Sequence, residues 1–465
     1  MNYQHLFQDL GSRQIRMALT GARGGFGRSL LAQCRAIPAL QVTALCDLDV
    51  DGTRSLLAQL GFAADASTVC ETAEAAQAAQ ASGRIALVAD HRLLQALALD
   101  IVVEATGAPE ISVVIAEQAL RRGVHVAMVT KETDSVAGPY LNHLAQSLGL
   151  VYTTADGDQP SNLIGLVSWA RLLGFDVVAA GKSSEYDFIY DPANRQVQYT
   201  DCTVPAPDLE ALWPLGDDPA ARMRQRSEAL RGLPQSATPD YCEMNVVANS
   251  TGLLPACDAL NYPLCRISEL ADVFIPVEDG GILTRSGVVD VFNCLRRVDE
   301  ASFGGGVFVV VRCADPEIWE VLREKGHLVS RNGRYACIYL PYHLMGLETP
   351  LSLLSAVLHK RPSGAVDQAS HAVMAACTTR AFAAGEVLHM GGHHHLIEGA
   401  VARLLPTGPH TAAIAPFYVA ANKRLRVDVT PGTLITRDML ELDGSRLDAA
   451  WQESLAITKP VPQAA

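Results

Sequence analysis

The chain has 465 residues, a formal net charge of −13 and a hydrophobic content of 49%. This length predicts about three domains, and the composition suits large buried cores. The negative charge argues against nucleic acid as a partner, because a phosphate backbone binds basic surfaces.

The eleven cysteines are scattered, and none stands three positions from another as in a CxxC zinc motif. They read as reduced thiols of a cytoplasmic protein. Residues 1–16 lack the apolar stretch of a signal peptide. No run approaches the roughly 18 apolar residues that a membrane helix needs. We therefore expect a soluble cytoplasmic protein with no membrane partner.

Residues 15–47 follow the order strand, glycine turn, helix, strand, acid. This order is typical of a dinucleotide-binding βαβ unit, in which glycines let the backbone approach a pyrophosphate at a helix N-terminus. The spacing Gly-x-x-Gly-x-x-Gly is not the commonest one, and a glycine-rich turn in another α/β unit is the alternative interpretation. The predicted cofactor-binding residues are Gly21, Arg23, Gly24, Gly25, Phe26 and Gly27 at the pyrophosphate and Asp47 at the adenosine ribose.

Strands and helices continue to alternate after this unit. Apolar runs at residues 100–105 and 124–129 read as parallel strands, with a helix at 109–122 between them. Such alternation predicts a doubly wound parallel sheet, whose ligands lie at the carboxyl ends of the strands. Thr106 and Gly107 are therefore predicted near the nicotinamide. Lys131 is predicted to contact the cofactor and is a candidate proton donor or oxyanion stabiliser.

Two further strands are predicted to carry polar groups at their tips. The run at 150–155 leads to Asp158, for which helix capping and contact with substrate or metal are both open. The run at 177–180 leads to Lys182, a candidate proton donor or oxyanion stabiliser. Both are predicted catalytic residues.

Residues 186–240 show no clear periodicity, and we interpret them as a long excursion over a site or as an interface arm. The arginines within it are expected on a solvated helix face; they are Arg222, Arg224, Arg226 and Arg231. If residues 241–252 are helical, Asn245 and Asn249 share one face, and Glu243 lies about 120° from Asn249. Glu243 and Asn249 are candidate catalytic residues bordering one cleft.

Strand patterns return between 271 and 345, including Val273 to Ile275, and predict a second α/β sheet separate from the first. The last ninety residues contain short turn-strand segments and predict a small all-β module. His393, His394 and His395 are consecutive and would alternate faces on a strand, so we interpret them as structural or exposed rather than as one metal site.

Several motifs resemble those of one family, the homoserine-dehydrogenase-like oxidoreductases that include the second type of 1-deoxy-D-xylulose 5-phosphate reductoisomerase. The C-terminal segments resemble the SAF module, a β-clip fold. The resemblance implies a Rossmann domain at 1–155, a catalytic and dimerisation domain at 156–375, a SAF-like domain at 376–465, and a homodimer. The motifs that carry it are Gly181-Lys182, Glu243-Met244, Ala248 to Leu253, Gly304 to Phe308, and Tyr342 to Glu348.

One stretch departs from the family pattern. Where those reductoisomerases have a Gly-Thr-Lys-Tyr-like sequence, this chain has Ser183 to Asp187, with Glu185 in place of a base. A phosphate would favour cationic partners, so an acid at this place argues against a phosphorylated substrate.

Together these patterns predict an oxidoreductase that uses NAD or NADP on a small polyhydroxy or sugar-derived carbonyl or alcohol. Reductoisomerase chemistry would add a divalent cation, Mg²⁺ or Mn²⁺, for which Asp158 and Glu243 are the predicted ligands. The alternatives are a plain homoserine-dehydrogenase-like alcohol dehydrogenase and a non-enzymatic cofactor-binding regulator.

Overall fold

The computed structural model describes residues 2–392, 395–442 and 444–457. His393 and His394 of the histidine run lie outside these residues. The chain divides into two compact units. The first contains residues up to 161 together with 344–370 and 442–457, and the second contains 162–343 and 371–441.

The strands of the described residues differ in length from two to ten residues. They are β1 Ile15–Thr20, β2 Leu40–Cys46, β3 Ser67–Val69, β4 Ile85–Val88, β5 Ile101–Glu104, β6 His125–Met128, β7 Tyr152–Thr154, β8 Val177–Ser183, β9 Phe188–Asp191, β10 Gln196–Tyr199, β11 Cys202–Pro205, β12 Leu254–Pro255, β13 Leu264–Cys265, β14 Val288–Arg297, β15 Val307–Arg312, β16 Leu328–Val329, β17 Tyr335–Leu340, β18 Ala372–Thr378, β19 Met390–Gly391, β20 Leu396–Ile397 and β21 Ala400–Pro406.

The α-helices of the described residues are α1 Tyr3–Phe7, α2 Gly25–Cys34, α3 Val50–Gln59, α4 Ala73–Ala81, α5 Pro109–Arg121, α6 Lys131–Ser147, α7 Gln159–Leu172, α8 Leu209–Leu212, α9 Pro219–Ala229, α10 Thr238–Thr251, α11 Leu270–Val273, α12 Pro316–Glu324, α13 Thr349–Leu354, α14 Phe417–Ala420 and α15 Arg446–Ala456. Helix α13 continues as a π-helical turn at Ser355–His359.

The first unit contains a seven-stranded sheet in the order β3-β4-β2-β1-β5-β6-β7. All its strand pairs are parallel. On one side of β1 lie β2, β4 and the edge strand β3, and on the other side lie β5, β6 and β7. The switch between β1 and β5 is where ligands bind in doubly wound folds. The predicted Rossmann-type sheet is confirmed.

Two segments distant in sequence complete the first unit. Leu353 and Leu354 of α13 join the same buried cluster as Leu30 and Leu31 of α2. Helix α15 packs on α5 and α6, where the Ser454 hydroxyl accepts a hydrogen bond from the backbone N–H of Tyr140 at 3.2 Å. After the β-rich region the chain therefore returns to the first unit and forms α15 there.

The second unit is built on a mixed sheet in the order β11-β10-β9-β14-β8-β15-β17-β16, with β12 and β13 also paired to β14. Strand β8 is parallel to β14 and antiparallel to β15. The expected second α/β sheet is confirmed. Its core is aromatic, with ring contacts among Phe274, Phe292, Phe303 and Phe308.

Residues 186–240 contain β9, β10, β11, α8 and α9. That this segment covers a site or forms an interface arm stays a prediction. Two other expectations for this unit were wrong. Val273 ends helix α11 instead of opening a strand. Arg226 of α9 is fully buried, and its guanidinium donates to both oxygens of Glu269, at 2.6 and 3.0 Å, rather than lying on a solvated face.

The β-rich part of the second unit lies between residues 372 and 441. Strand β18 pairs antiparallel with β21 along seven residues. Around them run isolated bridges, including Cys377 to Leu434 and Phe382 to Val429. These short pairings agree with the expected β module, but the last ninety residues are not all-β, because residues 446–456 form helix α15 of the first unit.

Within the described residues, no helix combines the length and the apolar character needed to cross a bilayer.

Candidate functional site

The turn from β1 to α2 requires glycine at two positions for steric reasons. Gly21 has φ +63°, and a Cβ there would lie 2.1 Å from the carbonyl oxygen of Ala105. A Cβ on Gly27 would lie 2.6 Å from the carbonyl oxygen of Ala22. The first glycine thus lets the turn pass against the end of β5, and the last lets α2 pack against its own turn.

Gly24 and Gly25 are exposed at the start of α2. Gly24 is the N-cap residue and has no side chain to satisfy the free N–H groups of the first turn. This end of the helix carries a partial positive charge and suits a pyrophosphate. Phe26 differs from its neighbours because its ring is buried in the core cluster of the first unit. Any contact of Phe26 with a cofactor is therefore limited to its backbone.

Asp47 follows β2 and faces the same turn. Its Oδ2 atom accepts from the backbone N–H of Arg23, and its Oδ1 atom from that of Asp49, both at 3.1 Å. The Arg23 guanidinium forms an ion pair with Asp49. These contacts hold Asp47 in place while each oxygen keeps a second lone pair for a ribose hydroxyl.

The loop after β5 is fixed by a buried carboxylate, that of Glu104. It accepts from the hydroxyl of Thr20 at 3.2 Å and from the hydroxyl and backbone N–H of Thr106 at 2.6 and 3.1 Å. Gly107 has φ +65° and donates its N–H to the Thr130 hydroxyl at 3.1 Å. Lys131 is then the first residue of α6 and is partly exposed.

The two aspartates after β7 have different surroundings. Asp156 accepts from the hydroxyls of Ser161 at 2.7 Å and Ser352 at 3.0 Å, and burial raises its pKa although these bonds oppose the shift. Asp158 is partly exposed and accepts from the backbone N–H of Gln159 at 3.0 Å. Asp156 is thus a structural residue, which leaves Asp158 as the acid available at this strand end.

A segment that the sequence did not link to cofactor binding lies beside the glycine turn. A Cβ on Gly346 would lie 2.8 Å from the Phe26 carbonyl oxygen, and one on Gly25 would lie 3.6 Å from the Met345 methyl group. A Cβ on Gly157 would lie 2.6 Å from the Leu344 carbonyl oxygen. Residues 344–346 therefore border the start of α2, a contact across more than 300 positions that no local pattern reveals.

In the second unit, Lys182 forms ion pairs with two carboxylates of α10. Its Nζ atom lies 2.7 Å from Asp240 Oδ1 and also contacts Glu243. Lys182 and Asp240 are 0% exposed and Glu243 is 2% exposed. Lys182 lies inside β8, one residue before its end, and not at an open strand tip as predicted.

The buried ion cluster extends through hydroxyl groups. Asp240 Oδ2 accepts from the Ser184 hydroxyl at 2.8 Å and from the Tyr262 hydroxyl at 3.1 Å. Burial and the charge of Asp240 raise the pKa of Tyr262 well above its usual value, so its phenol stays a neutral donor. Asp240 was not among the predicted site residues, although its position three residues before Glu243 on a helix places both on one face.

Asn245 and Asn249 share one helix face as expected, but their side chains bind the backbone at the start of β18. Asn249 Oδ1 accepts from the backbone N–H groups of His371 at 2.9 Å and Ala372 at 3.0 Å. Asn245 accepts from the N–H of Met374 at 2.8 Å and donates to the carbonyl of Ala372 at 3.0 Å. These bonds fix β18 on α10, a structural role; the catalytic role of Asn249 stays a prediction.

The predicted metal ligands lie on different units, Asp158 on the first and Glu243 on the second. Glu243 already neutralises Lys182. Throughout the residues that the structure describes, no group of three or more His, Cys, Asp or Glu side chains is arranged to hold a metal ion.

Comparison with known families finds a match for one segment, most of which lies in the second unit. Residues 157–349 match the family described as oxidoreductase DRL, catalytic domain. This segment contains Lys182, Asp240 and Glu243. The matched segment therefore resembles an oxidoreductase catalytic domain, and a Rossmann-type sheet precedes it in the chain. A search of curated proteins found no match.

Several solved structures are similar to parts of this chain at low identity. An oxidoreductase domain protein from Kribbella flavida is 17% identical over 38% of this chain and 44% of that one, with a TM-score of 0.27. A probable dehydrogenase from Thermotoga maritima is 11% identical over 75% and 90%, with a TM-score of 0.35. The 1-deoxy-D-xylulose 5-phosphate reductoisomerase from Zymomonas mobilis, in complex with NADPH, is 19% identical over 37% and 46%, with a TM-score of 0.28. The chain therefore spans less than half the length of two of these proteins, and with TM-scores below 0.5 none carries a conclusion about it.

Proposed function

We propose that the protein is an NAD(P)-dependent oxidoreductase acting on a small polyhydroxy or sugar-derived carbonyl or alcohol. The observation that carries this proposal is the turn at the start of α2. Gly21 is required there by its φ and its contact with Ala105, while Gly24 and Gly25 leave an uncapped helix N-terminus exposed. That geometry suits the pyrophosphate of a dinucleotide.

The residues around this turn fit the remaining parts of a dinucleotide. Asp47 would accept the adenosine ribose hydroxyls, and the loop at Thr106 and Gly107, held by Glu104, would border the nicotinamide. When bound, the nicotinamide supplies or accepts the hydride. Lys131, at the next strand end, would donate a proton or stabilise charge on the substrate oxygen.

We assign Lys182 and Glu243 a structural role, unlike Lys131, which is partly exposed. Because Lys182 is fully enclosed, it meets no substrate in the arrangement described. We propose that Lys182, Asp240 and Glu243 position α10 against β8 and set the local field, and that a direct role in proton transfer would require the cluster to open.

Plain dehydrogenation is favoured over a reductoisomerase reaction by one observation. Moving a carbon–carbon bond while holding two substrate oxygens is the task for which a chelated divalent cation is suited. Glu243, one of the two predicted ligands, is committed to Lys182. A metal-assisted reductoisomerase, in which Asp158 contributes to a Mg²⁺ or Mn²⁺ site, remains the second candidate.

The test is dinucleotide binding measured by calorimetry with NADH and NADPH, followed by turnover with polyhydroxy carbonyls and alcohols. Gly25→Val should weaken binding at least about tenfold, because it adds a side chain beside the exposed N–H groups of the helix start, where its Cβ would lie 3.6 Å from the Met345 methyl group. Gly165→Val is the matched control, since a Cβ on this helical glycine meets nothing within 4 Å.

Failure of both dinucleotides to bind the folded wild-type chain would refute the proposal. Binding without turnover of any carbonyl or alcohol would favour a non-enzymatic cofactor-binding regulator instead.

A further inference from the structure

The second unit contains a large groove that the proposed hydride transfer does not use. Its volume is about 1040 Å³. We call it the tyrosine groove because three tyrosines line it, Tyr186, Tyr199 and Tyr241. Its other walls are the turn of the β10–β11 hairpin, the residues leading into α10, and residues 396–403. The volume is at the upper end for a small-molecule site and exceeds the need of a single sugar ring.

The aromatic side of the groove offers an exposed ring. Tyr186 is 42% exposed and meets Tyr199 edge-on, with ring centroids 5.9 Å apart. Tyr199 packs in turn on Phe188, at 4.8 Å between centroids, so the exposed ring stands on a packed aromatic base. A rigid tyrosine face gives contact area for the apolar face of a ligand ring at little cost in side-chain entropy.

The polar side of the groove is rich in hydroxyls and acids. Burial, together with the charges of Glu185 and Asp240, raises the pKa of Tyr199 to about 12, so its phenol is a neutral hydrogen-bond donor near neutral pH. The hydroxyl residues that line the groove besides the tyrosines are Thr200, Ser236 and Thr238. Three carboxylates and a single guanidinium complete the lining, from Glu185, Asp201, Glu398 and Arg403. This balance disfavours an anionic ligand and provides acceptors for ligand hydroxyl groups.

The hairpin turn at the rim is strained. Tyr199 pairs with Cys202, so Thr200 and Asp201 form the turn, and Thr200 has φ +51°. A β-branched residue in this region is a genuine outlier, and such two-residue turns favour Asn and Gly. Strain of this kind concentrates at functional sites. Here it presents the side chains of Thr200 and Asp201 to the groove.

We propose that the tyrosine groove binds a polyhydroxylated ligand without negative charge, of the class of neutral or amino-substituted saccharides. The exposed tyrosine face would stack on a sugar ring, and the carboxylates and hydroxyls would bond its hydroxyl groups. This inference does not depend on the dinucleotide proposal, because the groove lies wholly in the second unit.

The experiment is saccharide binding to the full chain, without dinucleotide, by calorimetry and ligand-observed NMR. The probes are a neutral disaccharide, an amino sugar and a sugar phosphate, each titrated to about 10 mM. We expect the first two to bind and the sugar phosphate to bind at least about tenfold more weakly.

Variants locate the site. Tyr186→Ala should weaken saccharide binding about tenfold, whereas Tyr3→Ala, which removes a ring that is 55% exposed in the first unit, should leave it unchanged. Asp201→Asn should weaken binding of the amino sugar more than that of the neutral disaccharide, because only the former carries a positive charge.

Absence of saccharide binding at these concentrations would overturn the inference. So would tightest binding by the sugar phosphate, or wild-type affinity in Tyr186→Ala. If the same preparation binds saccharide but fails to bind NADH and NADPH in a separate titration, the proposed function is refuted and this inference is not.

Discussion

The carboxylate of Asp47 accepts a hydrogen bond from the backbone N–H of Arg23, with Oδ2 and N 3.1 Å apart. This bond ties the end of the second strand to the glycine turn. It also places a negative charge where the ribose of a dinucleotide would lie in a Rossmann-type fold. The guanidinium of Arg23 is already paired with Asp49.

These contacts predict that NADH binds more tightly than NADPH. The carboxylate of Asp47 repels a 2′-phosphate at this position and accepts from the ribose hydroxyls instead. Asp47→Ser should lower NADH affinity about tenfold, equivalent to about 1.4 kcal/mol, and narrow the difference between the two cofactors. Calorimetry with both dinucleotides measures this. A wild-type preference for NADPH by tenfold or more would show that Asp47 has been misinterpreted.

Gly346 is predicted to be required for the first unit. Gly346→Ala combines a φ of +76° with a Cβ 2.8 Å from the Phe26 carbonyl oxygen. Gly149→Ala is a matched control, with φ +69° and nothing within 4 Å of its Cβ. We expect the control to lose about 1 kcal/mol in the free energy of unfolding and Gly346→Ala clearly more, with weaker dinucleotide binding. Equal losses in urea denaturation would mean that the packing at Gly346 contributes nothing.

Removing the Lys182 charge should destabilise the second unit. Lys182→Met leaves Asp240 and Glu243 buried without their cation, which costs about 3–5 kcal/mol. The double variant Lys182→Met, Glu243→Gln should recover part of that loss. Arg231→Met serves as the control, because its ion pair with Glu228 is exposed on both sides and its removal should change stability by less than about 0.5 kcal/mol. An unchanged unfolding midpoint in Lys182→Met would contradict the buried ion cluster.

Asp290 should make stability fall as the pH rises. Burial raises its pKa from 3.8 to about 6, although Asn261 donates to it from both its backbone and its side chain. Because the folded-state pKa lies above the unfolded one, the contribution is fully present below about pH 4 and is lost as the pH rises through 6. The loss is on the order of 3 kcal/mol at most. Asp290→Asn should flatten the pH dependence of unfolding between pH 4 and 7, unlike Asp217→Asn at an exposed site.

The metal question can be decided with Asp158→Asn and a chelator. If Asp158 contacts substrate or metal, the variant should lose at least about 100-fold in turnover, or about 2.7 kcal/mol of transition-state stabilisation, with its fold intact. Activity that survives exhaustive EDTA treatment while the variant is impaired would indicate hydrogen bonding, as in a plain dehydrogenase. Normal turnover in Asp158→Asn would place the site elsewhere.

The first sheet could be predicted because its signals are local. The strand ending at Thr20, the glycines after it and the acid at position 47 all lie within one βαβ unit, and their periodicity identifies each element. Strand β14 was not predicted because Asp290 and Asn293 interrupt its apolar run. Both polar side chains are buried and hydrogen-bonded in the fold, which a single sequence does not reveal.

Partners across long sequence separations could not be predicted either. Asp240 was missed because its importance depends on Lys182, almost sixty positions earlier on another element. Arg226 was predicted on a solvent-exposed face because its helix is polar. Its buried partner Glu269 lies on another element and becomes its neighbour only in the folded chain. The asparagines of α10 suggested a cleft, yet the strand that they bind begins more than a hundred positions later.

Helix α15 has a consequence for how the protein is made. It joins the first unit through Ser454 and through Arg446, whose Nε atom lies 2.7 Å from Glu117 Oε2. During synthesis, domains generally fold in order from the N-terminus. Here the sheet that begins at residue 15 cannot acquire this helix until the ribosome has translated more than 440 residues. The nascent first unit therefore leaves the exit tunnel with the faces of α5 and α6 uncovered, and it completes its packing only after the intervening second unit has been translated.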